Sequence, residues 1–511
     1  LVRRGTMTAP SNDVVLRSLI VVASFLELCA GSFPAYKELY FNQTLDHFDA
    51  ASQRRWPQRF LLNEENWDGR GRLKNGCRGP ILLYTGNEGP IDAFWEANGF
   101  MINVLAPKWG ALLLFPEERY YGKSLPFGPS SFESANFVYL TTEQVIEDYV
   151  ELLSHIKSTK LGAANCPVVA FGGSYGGTLT TFLRVSHPEA VVGALASSAP
   201  IGYYDRDAWE AHGVDAFTWS DIVTRDYDEA HPACLRAIHE ATSAIDAYGA
   251  TDMDGLLDIF NVCTPSALGP NRPSELFQYA LESLPQLDYP YPVGGRPAWP
   301  VNYTCEALVA AANSGKASSP PLPLIEAAAH ITKMAMGTEG SSDCMQALVE
   351  GPGGIPGDGP GPNSWGWQSC TENLHQFSAR GVRNYSFSLA DSAEKPCSRI
   401  FNGRAVLNTT RLTQLYGGFK LGDGLIANVS NIIWSNGALD PWSGGGFIAK
   451  SKDVISDYDE RRGLYWIFLK KGAHHLDLRG PHPDDPEEVT DARNREEAII
   501  YDWILEAATA T

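Results

Sequence analysis

The chain has 511 residues, of which 44% are hydrophobic and 20% are charged, and it contains no long low-complexity tract. This composition excludes a disordered or fibrous protein, and the length exceeds what one growing core sustains. Forty basic against sixty acidic residues give a formal net charge of −20 at pH 7, which argues against nucleic acid and anionic lipid surfaces as partners.

The first predicted element is a secretory signal peptide at residues 1–32. Arg17 precedes the apolar run Leu19–Leu26, and the small residues Ala30–Ser32 follow it. The run is shorter than the ~20 apolar residues that span a membrane, so we expect no membrane span in the mature chain. A buried helix is the alternative interpretation, because Glu27 interrupts the pattern. The true start of the chain and the cleavage site stay open.

Cysteines and glycosylation sequons indicate the compartment. Nine cysteines are present, and eight remain if Cys29 leaves with the signal peptide, an even number that suits disulfides in an oxidising environment. None has the paired short spacing of a zinc site, so metal binding is the poorer interpretation. Five Asn-x-Ser/Thr sequons predict N-glycosylation, at Asn42, Asn302, Asn384, Asn408 and Asn428. Together these features predict a protein of the secretory pathway, either secreted or lysosomal/vacuolar.

Short apolar runs followed by turns predict buried parallel strands. Between the first four of them lie amphipathic segments such as Thr142–Ile156, whose apolar residues recur at helical spacing. Alternating strands and helices predict a doubly wound α/β sheet, whose ligands bind at the carboxyl ends of the strands. The predicted strands are Pro80–Thr85, Ala111–Phe115, Pro167–Phe171, Val191–Ser197, Asn431–Ser435 and Leu464–Leu469.

A long helical insertion interrupts the alternation between Ile201 and Asn431. Its periodic segments predict helices over Ala233–Tyr248, Asp254–Val262, Glu275–Leu284 and Leu324–Met336. We therefore expect a catalytic α/β domain over residues 33–204 and 425–511, and an inserted, mostly helical cap domain over residues 205–424. An insertion at the functional end of the sheet would cover the active site.

Cys77 and Cys166 each stand a few residues before a predicted parallel strand. If those two strands are neighbours, both thiols lie at the same amino-terminal edge of the sheet. We hypothesise a disulfide between them.

The segment Gly172-Gly173-Ser174-Tyr175-Gly176 places a Gly-x-Ser-x-Gly motif between a buried strand and an amphipathic helix. That context is what a nucleophile elbow requires, since the glycines permit a strained turn from which the serine hydroxyl projects. A structural glycine-rich turn is the alternative. We predict Ser174 to be the nucleophile.

A serine hydroxyl needs a base to take its proton, and the base needs an orienting carboxylate. Asp440 and His474 follow two successive predicted strands, and the chain order Ser, Asp, His is that of α/β-hydrolases. The alternatives are a capping aspartate and a solvated loop histidine. Because adjacent side chains diverge, only one of His474 and His475 can face the serine, and adjacent histidines rarely converge on one metal ion.

An acyl-transfer site also needs two N–H donors for the oxyanion. The backbone of Tyr175, directly after the nucleophile, would supply one of them. Glu88, in the loop Gly86-Asn87-Glu88-Gly89 after the first predicted parallel strand, would supply the other. A plain β-turn is the alternative for this loop.

Eight collinear motifs extend over nearly the whole mature chain: Leu45–Phe48, Tyr84–Gly89, Arg119–Gly128, Phe171–Gly177, Ser198–Pro200, Gln368–Glu372, Ser435–Gly446 and Gly472–Arg479. In these motifs the chain resembles the lysosomal Pro-X carboxypeptidase and dipeptidyl peptidase II family of serine peptidases. The resemblance implies an α/β-hydrolase fold with a helical cap, cleavage next to proline, and no cofactor. Its triad carries over onto Ser174, Asp440 and His474, which selects His474 over its neighbour.

The same resemblance implies further residue roles. His475 and Arg479 would support the base from behind, and the cap would hold the bridges Cys234–Cys305, Cys263–Cys344 and Cys370–Cys397. Two positions depart from the family pattern: Glu118 stands where histidine is usual, and Pro90 stands where an acidic residue is usual. Both departures concern the rim of the pocket.

A proline-sized pocket needs flat apolar walls, for which Trp434, Trp442, Trp365 and Trp367 are candidates, although all four could be core residues. A dipeptidyl peptidase also needs an acidic group near the substrate amine, which Glu88 and Glu372 would supply. A carboxypeptidase needs donors near the terminal carboxylate instead. The sequence leaves this choice open.

We therefore predict a serine exopeptidase that cleaves peptides containing proline through an acyl-enzyme. A lipase or esterase on the same scaffold is one alternative, and it would cleave short esters far better than peptides. A catalytically dead binding module is another, although no triad member is missing. The sequence does not decide whether the protein forms a homodimer, and it does not indicate a pH optimum.

Overall fold

The structure is a computed structural model that describes residues 33–262, 273–314, 321–336, 344, 363–448 and 455–509. The predicted signal peptide with Cys29, and Cys263 of the insertion, lie outside the described residues.

The described residues contain a nine-stranded sheet in the order β1-β2-β4-β3-β5-β6-β7-β9-β8. The strands are β1 Lys37–Thr44, β2 Arg55–Asn63, β3 Ile81–Tyr84, β4 Leu112–Pro116, β5 Val168–Gly173, β6 Gly193–Ser197, β7 Ile432–Gly437, β8 Ile455–Asp459 and β9 Leu464–Leu469. Strands β3 to β7 and β9 pair in parallel, which confirms all six predicted strands. Strands β1 and β8 are the two edges, and β2 lies between β1 and β4; these three strands pair with their neighbours in the antiparallel direction and were not predicted.

Fifteen α-helices occur among the described residues. They are α1 Ile91–Ala97, α2 Ala106–Trp109, α3 Thr142–Thr159, α4 Tyr175–Ser186, α5 Thr218–Ala230, α6 Cys234–Gly249, α7 Met253–Phe260, α8 Pro273–Ser283, α9 Pro300–Ser314, α10 Leu322–Ala335, α11 Ser364–Thr371, α12 Lys395–Ile400, α13 Arg411–Tyr416, α14 Phe419–Gly422 and α15 Glu487–Thr509. Each predicted helix corresponds to one of them, with ends displaced by at most three residues.

The two faces of the sheet carry separate hydrophobic cores. Ile81 and Leu83 of β3 pack with α3 and α4 on one face, whereas Leu82 and Tyr84 pack with α1, α2 and α15 on the other. Successive side chains of a strand point to opposite faces, so a continuous apolar run serves both cores. A mostly parallel sheet with helices on both faces is the α/β-hydrolase fold that the sequence predicts.

The insertion between β6 and β7 has two parts that pack differently. Helices α5 to α10 bury their apolar faces in a third core of their own. The later part, from Trp365 to Phe419, packs into the core beside α3 and α4 instead. The boundaries of the cap at residues 205 and 424 stay a prediction, but only its first part has an independent core.

Three disulfides lie among the described residues: Cys77–Cys166, Cys234–Cys305 and Cys370–Cys397. The hypothesised pair Cys77–Cys166 has a Cα separation of 4.8 Å, because strands β3 and β5 are direct neighbours and both cysteines precede them. The Cys263–Cys344 pairing lies outside the described residues, since Cys263 does.

All five predicted glycosylation acceptors are exposed. Their side chains are therefore open to modification, which stays a prediction. No helix in the described ranges combines the length and the apolar character that crossing a membrane requires.

Candidate active site

Ser174 lies at the turn between β5 and α4. Its backbone has φ 59° and ψ −128°, a conformation that costs an L-residue ~1–3 kcal/mol, and its N–H donates to the carbonyl of Ser197 at 2.9 Å. Glycine is required at Gly172, because a Cβ there would lie 2.2 Å from the carbonyl oxygen of Gly176. The Ser174 side chain is partly exposed within an otherwise buried turn. This strained strand-turn-helix is the geometry of a nucleophile elbow.

Asp440 follows β7 and begins the short helical turn Pro441–Gly445. Its Oδ1 accepts the backbone N–H of Trp442 at 3.0 Å, and its Oδ2 lies 2.7 Å from Nδ1 of His474. The side chain is fully buried. A buried carboxylate in this position holds an imidazole in one tautomer and stabilises its protonated form.

His474 follows β9 and is buried together with Asp440. Because Nδ1 contacts the carboxylate, we assign the ring proton to Nδ1, and Nε2 is then the acceptor. Among the described residues, Nε2 has no hydrogen-bond partner although it is buried. The ring therefore has one nitrogen oriented by a carboxylate and the other available to take a proton.

His475 lies behind this pair and has a left-handed backbone with φ 39°. Its backbone N–H donates to Oγ of Ser198 at 2.8 Å. Its ring lies close to the elbow, since a Cβ added at Gly173 would be 3.0 Å from it. Burial, with the charges of His474 and Arg479, lowers the pKa of His475 well below its usual range. The ring is therefore neutral and packs against the strand that carries the elbow.

The loop after β3 lies directly against the elbow. The side chain of Asn87 donates from Nδ2 to the carbonyl of Gly173 at 2.9 Å and accepts from the hydroxyl of Tyr84 at 2.5 Å. A Cβ at Gly176 would lie 2.4 Å from Oδ1 of Asn87, so the loop requires glycine there. Asn87 thus fixes the loop that carries Glu88, a role that the sequence does not indicate.

Glu88 is buried, and burial raises the pKa of its carboxyl. Nδ2 of Asn87 also donates to Oε2 of Glu88 at 3.2 Å, so the side chain of Asn87 contacts both the elbow and this carboxyl. That Tyr175 and Glu88 supply the two oxyanion donors stays a prediction.

The carboxyl of Glu118 belongs to a buried, hydrogen-bonded cluster beneath Tyr175. Its Oε1 accepts from the Tyr175 hydroxyl at 3.3 Å and from Nε2 of Gln368 at 3.1 Å, while Gln368 also donates to that hydroxyl at 2.7 Å. Burial and then the charge of Glu88 raise the pKa of Glu118 well above its usual range. The sequence marks Glu118 only as a departure at the pocket rim, and the structure buries it below the residue that follows the nucleophile.

The four candidate tryptophans separate into two pairs. Trp434 is 1% exposed in β7 and donates to a threonine hydroxyl of α4, and Trp367 is 4% exposed within the core beside α3. Both are core positions, the alternative that the sequence left open, and their place in a substrate pocket stays a prediction. Trp365 and Trp442 pack on His375, with ring centroids 5.0 and 5.8 Å from it. They form an aromatic wall beside the elbow, where Trp365 also contacts the ring of Tyr175.

Glu372 directly follows α11 and contacts two other helices. Its Oε1 accepts from the backbone N–H and the hydroxyl of Thr142, at 2.7 and 2.8 Å, and its Oε2 pairs with Arg411 at 3.4 Å. One oxygen therefore joins the end of α11 to the start of α3, and the other contacts the start of α13; a role in binding a substrate amine stays a prediction. Burial nevertheless raises the pKa of Glu372 to about 7.

The charge of Arg479 contributes to the lowered pKa of His475, and the supporting role of Arg479 stays a prediction. Its guanidinium lies over the ring of Tyr289 at 4.2 Å, in the insertion. Within the described ranges, no group of three or more His, Cys, Asp or Glu side chains could hold a metal ion.

Comparisons with known proteins give a consistent result. The family model described as serine carboxypeptidase S28 matches residues 43–496. Lysosomal Pro-X carboxypeptidase of Mus musculus is 35% identical over 482 residues, which cover 92% of this chain and 90% of the mouse protein. The Homo sapiens protein of the same name is 34% identical over 514 residues, covering 97% and 95%.

One solved structure with a similar fold is an α/β hydrolase from Novosphingobium aromaticivorans. It is 18% identical, and the match covers 32% of this chain and 44% of that chain with a TM-score of 0.20.

Proposed function

Since the chain belongs to the serine carboxypeptidase S28 family, we propose that this serine peptidase is an exopeptidase that cleaves next to proline through an acyl-enzyme. One observation carries the proposal: His474 and Asp440 are in buried contact at 2.7 Å. This pair lies at the same carboxyl edge of the sheet as the strained turn of Ser174.

In the proposed mechanism, Nε2 of His474 takes the proton of the Ser174 hydroxyl while the serine oxygen attacks the scissile carbonyl. Asp440 stabilises the imidazolium that forms, and the imidazolium then protonates the leaving amine. Water then attacks the acyl-enzyme while His474 takes a proton from it. His474 returns this proton to the serine oxygen, and the acyl group leaves as a carboxylic acid. No cofactor takes part in these steps.

The oxyanion would be stabilised by the backbone N–H of Tyr175 at the start of α4, with a second donor from the loop at Glu88. Two features support this assignment: Asn87 attaches that loop to the carbonyl of Gly173, and the amino end of a helix favours negative charge. Donors held in place before the reaction need no reorganisation as charge develops.

Selectivity for proline is supported by the wall of Trp365, His375 and Trp442. Flat aromatic faces match the pyrrolidine ring, which offers a compact apolar surface and no N–H within the chain. Trp442 follows Asp440 closely in sequence, so this wall begins at the proposed catalytic turn.

Between the two exopeptidase modes we propose the Pro-X carboxypeptidase mode. The two relatives described above both carry that name. In addition, the two oxygens of Glu372 contact Thr142 and Arg411, which disfavours one of the two carboxylates considered for binding a substrate amine. We also propose that the protein acts in the secretory pathway or the lysosome, because its disulfides fit an oxidising compartment.

Two measurements test the proposal. Ser174→Ala should abolish hydrolysis and labelling by a fluorophosphonate probe, whereas Ser130→Ala, an exposed serine in a surface turn, should retain both. A blocked-amine peptide ending in Pro-X should release its last residue, while a free-amine X-Pro substrate should be cleaved far more slowly. The opposite preference would refute the carboxypeptidase mode, and activity retained in Ser174→Ala would refute the nucleophile.

A further inference from the structure

The helical insertion makes direct contact with the backbone of His474. The N–H of His474 donates to the carbonyl of Gln286 at 3.0 Å, and the hydroxyl of Tyr289 donates to the carbonyl of His474 at 3.0 Å. Both polar backbone groups of one residue are therefore bound by a short segment, residues 285–289, that connects α8 to α9.

The same segment contacts the turn that carries Asp440. Nε1 of Trp442 donates to Oε1 of Gln286 at 2.8 Å, and the N–H of Trp442 donates to Oδ1 of Asp440 at 3.0 Å. From α5, Arg225 also donates to the carbonyl of Ala438. Both loops that carry the acid–base pair are thus attached to the insertion.

Tyr289 is held firmly enough to act as a fixed donor. It is 1% exposed, the guanidinium of Arg479 lies 4.2 Å from its ring centroid, and its own carbonyl accepts the N–H of Trp299. Burial raises the pKa of Tyr289, so its hydroxyl keeps the proton that it donates to His474.

These contacts matter because the aspartate alone does not fix the imidazole. The Nδ1–Asp440 bond sets the tautomer and one direction of the ring, but the ring can still pivot about that bond if the backbone shifts. His474 follows Gly472 and Ala473 in a short loop after β9, and anchoring its N–H and C=O removes that freedom. Displacements well below 1 Å are sufficient to impair proton transfer.

We propose that Tyr289 is a positioning residue for the base: through its hydroxyl, the insertion holds His474 in register with Ser174. The insertion is then part of the catalytic machinery and not only a cover over the site. The proposal rests on the proposed function, because it assumes that His474 activates Ser174.

Tyr289→Phe tests this inference, with Tyr291→Phe as the matched control. Tyr291 is an equally buried tyrosine two residues away, and its ring packs on His482 at 4.1 Å. Both variants keep the aromatic ring and delete one hydroxyl. The measurements are kcat and KM on a Pro-X substrate, the second-order rate constant for fluorophosphonate labelling, and the thermal midpoint.

We expect Tyr289→Phe to lower both kcat and the labelling rate constant about fivefold to tenfold, because that is the effect of losing one hydrogen bond. KM should be unchanged. Tyr291→Phe should stay within twofold of the wild type in both. Equal rates in the two variants, or a loss seen only in KM or in the thermal midpoint, would overturn the proposal.

A second variant, Gln286→Ala, keeps the backbone carbonyl that binds His474 but removes the contact with Trp442. It should reduce kcat less than Tyr289→Phe does, and a larger loss would assign the positioning role to the Gln286 side chain instead. If the wild type itself is not labelled at Ser174, it is the proposed function that fails, and this inference fails with it. If the wild type is labelled at Ser174 and Tyr289→Phe is labelled at the same rate, only this inference is refuted and the proposed function stands.

Discussion

Replacing Glu372 by glutamine should change how the stability of the protein depends on pH. Glu372 is buried where α11 meets α3, and burial raises its pKa from 4.5 to about 7. Well below pH 4.5 the carboxyl is neutral in both the folded and the unfolded state. Between pH 4.5 and about pH 7 the unfolded chain releases this proton while the folded protein keeps it, so the free energy of unfolding falls across this range and levels off above it.

The size of the effect follows from that pKa. Between pH 5 and pH 8, a carboxyl with pKa values of 4.5 unfolded and about 7 folded removes ~2.5 kcal/mol of stability. At ~2.1 cal/mol/K for each of 511 residues, the unfolding entropy is about 1 kcal/mol/K, so the thermal midpoint changes by about 2.5 °C. Glutamine keeps the acceptor for Thr142 but carries no ionisable proton.

The assay is the thermal midpoint of Glu372→Gln and of the wild type at pH 5 and pH 8. The difference between the midpoint of the variant and that of the wild type should be about 2.5 °C more positive at pH 8 than at pH 5. Glu326→Gln, an exposed position on α10, controls for the loss of one carboxyl and should follow the wild type at both. A variant whose offset from the wild type is the same at pH 5 and pH 8 would refute the assignment of a pKa near 7 to Glu372.

Three further predictions concern the site and the scaffold. Asp440→Asn should lower the fluorophosphonate labelling rate by ~10⁴-fold, because an amide favours the wrong tautomer of His474; a loss below tenfold would contradict the proposed pair. Replacing Cys77 and Cys166 together by serine should reduce the free energy of unfolding by ~4–5 kcal/mol, since the bridge closes an 89-residue separation; an unchanged denaturation midpoint would contradict it. Glu118→Gln should change the pH dependence of the labelling rate above the ordinary carboxyl range, because burial raises the pKa of Glu118 well above that range and its ionisation places a charge below Tyr175; identical pH profiles of wild type and variant would contradict this.

The sequence predicted the centre of the sheet better than its edges. Strands β3 to β7 are buried on both faces and therefore read as largely apolar runs, and the partly buried β9 is apolar throughout. Strand β1, by contrast, is largely exposed and contains Lys37 and Glu38, and β2 begins with Arg55 and contains Pro57. Polar residues are typical of an edge strand such as β1, where solvent replaces one neighbour, and Pro57 precedes the part of β2 that pairs with β4. Both features weaken the pattern from which strands are recognised.

The pocket candidates depend on tertiary structure more than the triad candidates do, and the reason is physical. Tryptophan and glutamate are compatible with a pocket, a core or an ion pair, and only their neighbours decide between these. Trp434 became a core residue because the side chains of β7 alternate between two buried faces. Glu372 became a structural carboxyl because Thr142 and Arg411, both distant in sequence, meet it.

By itself, the sequence determined the α/β framework, the elbow at Ser174 and the order of Asp440 and His474, because strand periodicity, glycine-dependent turns and chain order are local properties. Only the tertiary structure decided what surrounds those residues. The contact of Tyr289 with His474 joins positions 185 residues apart, and no local pattern encodes it. Such contacts depend on how separately folded segments pack against each other, and here that packing attaches the insertion to the base.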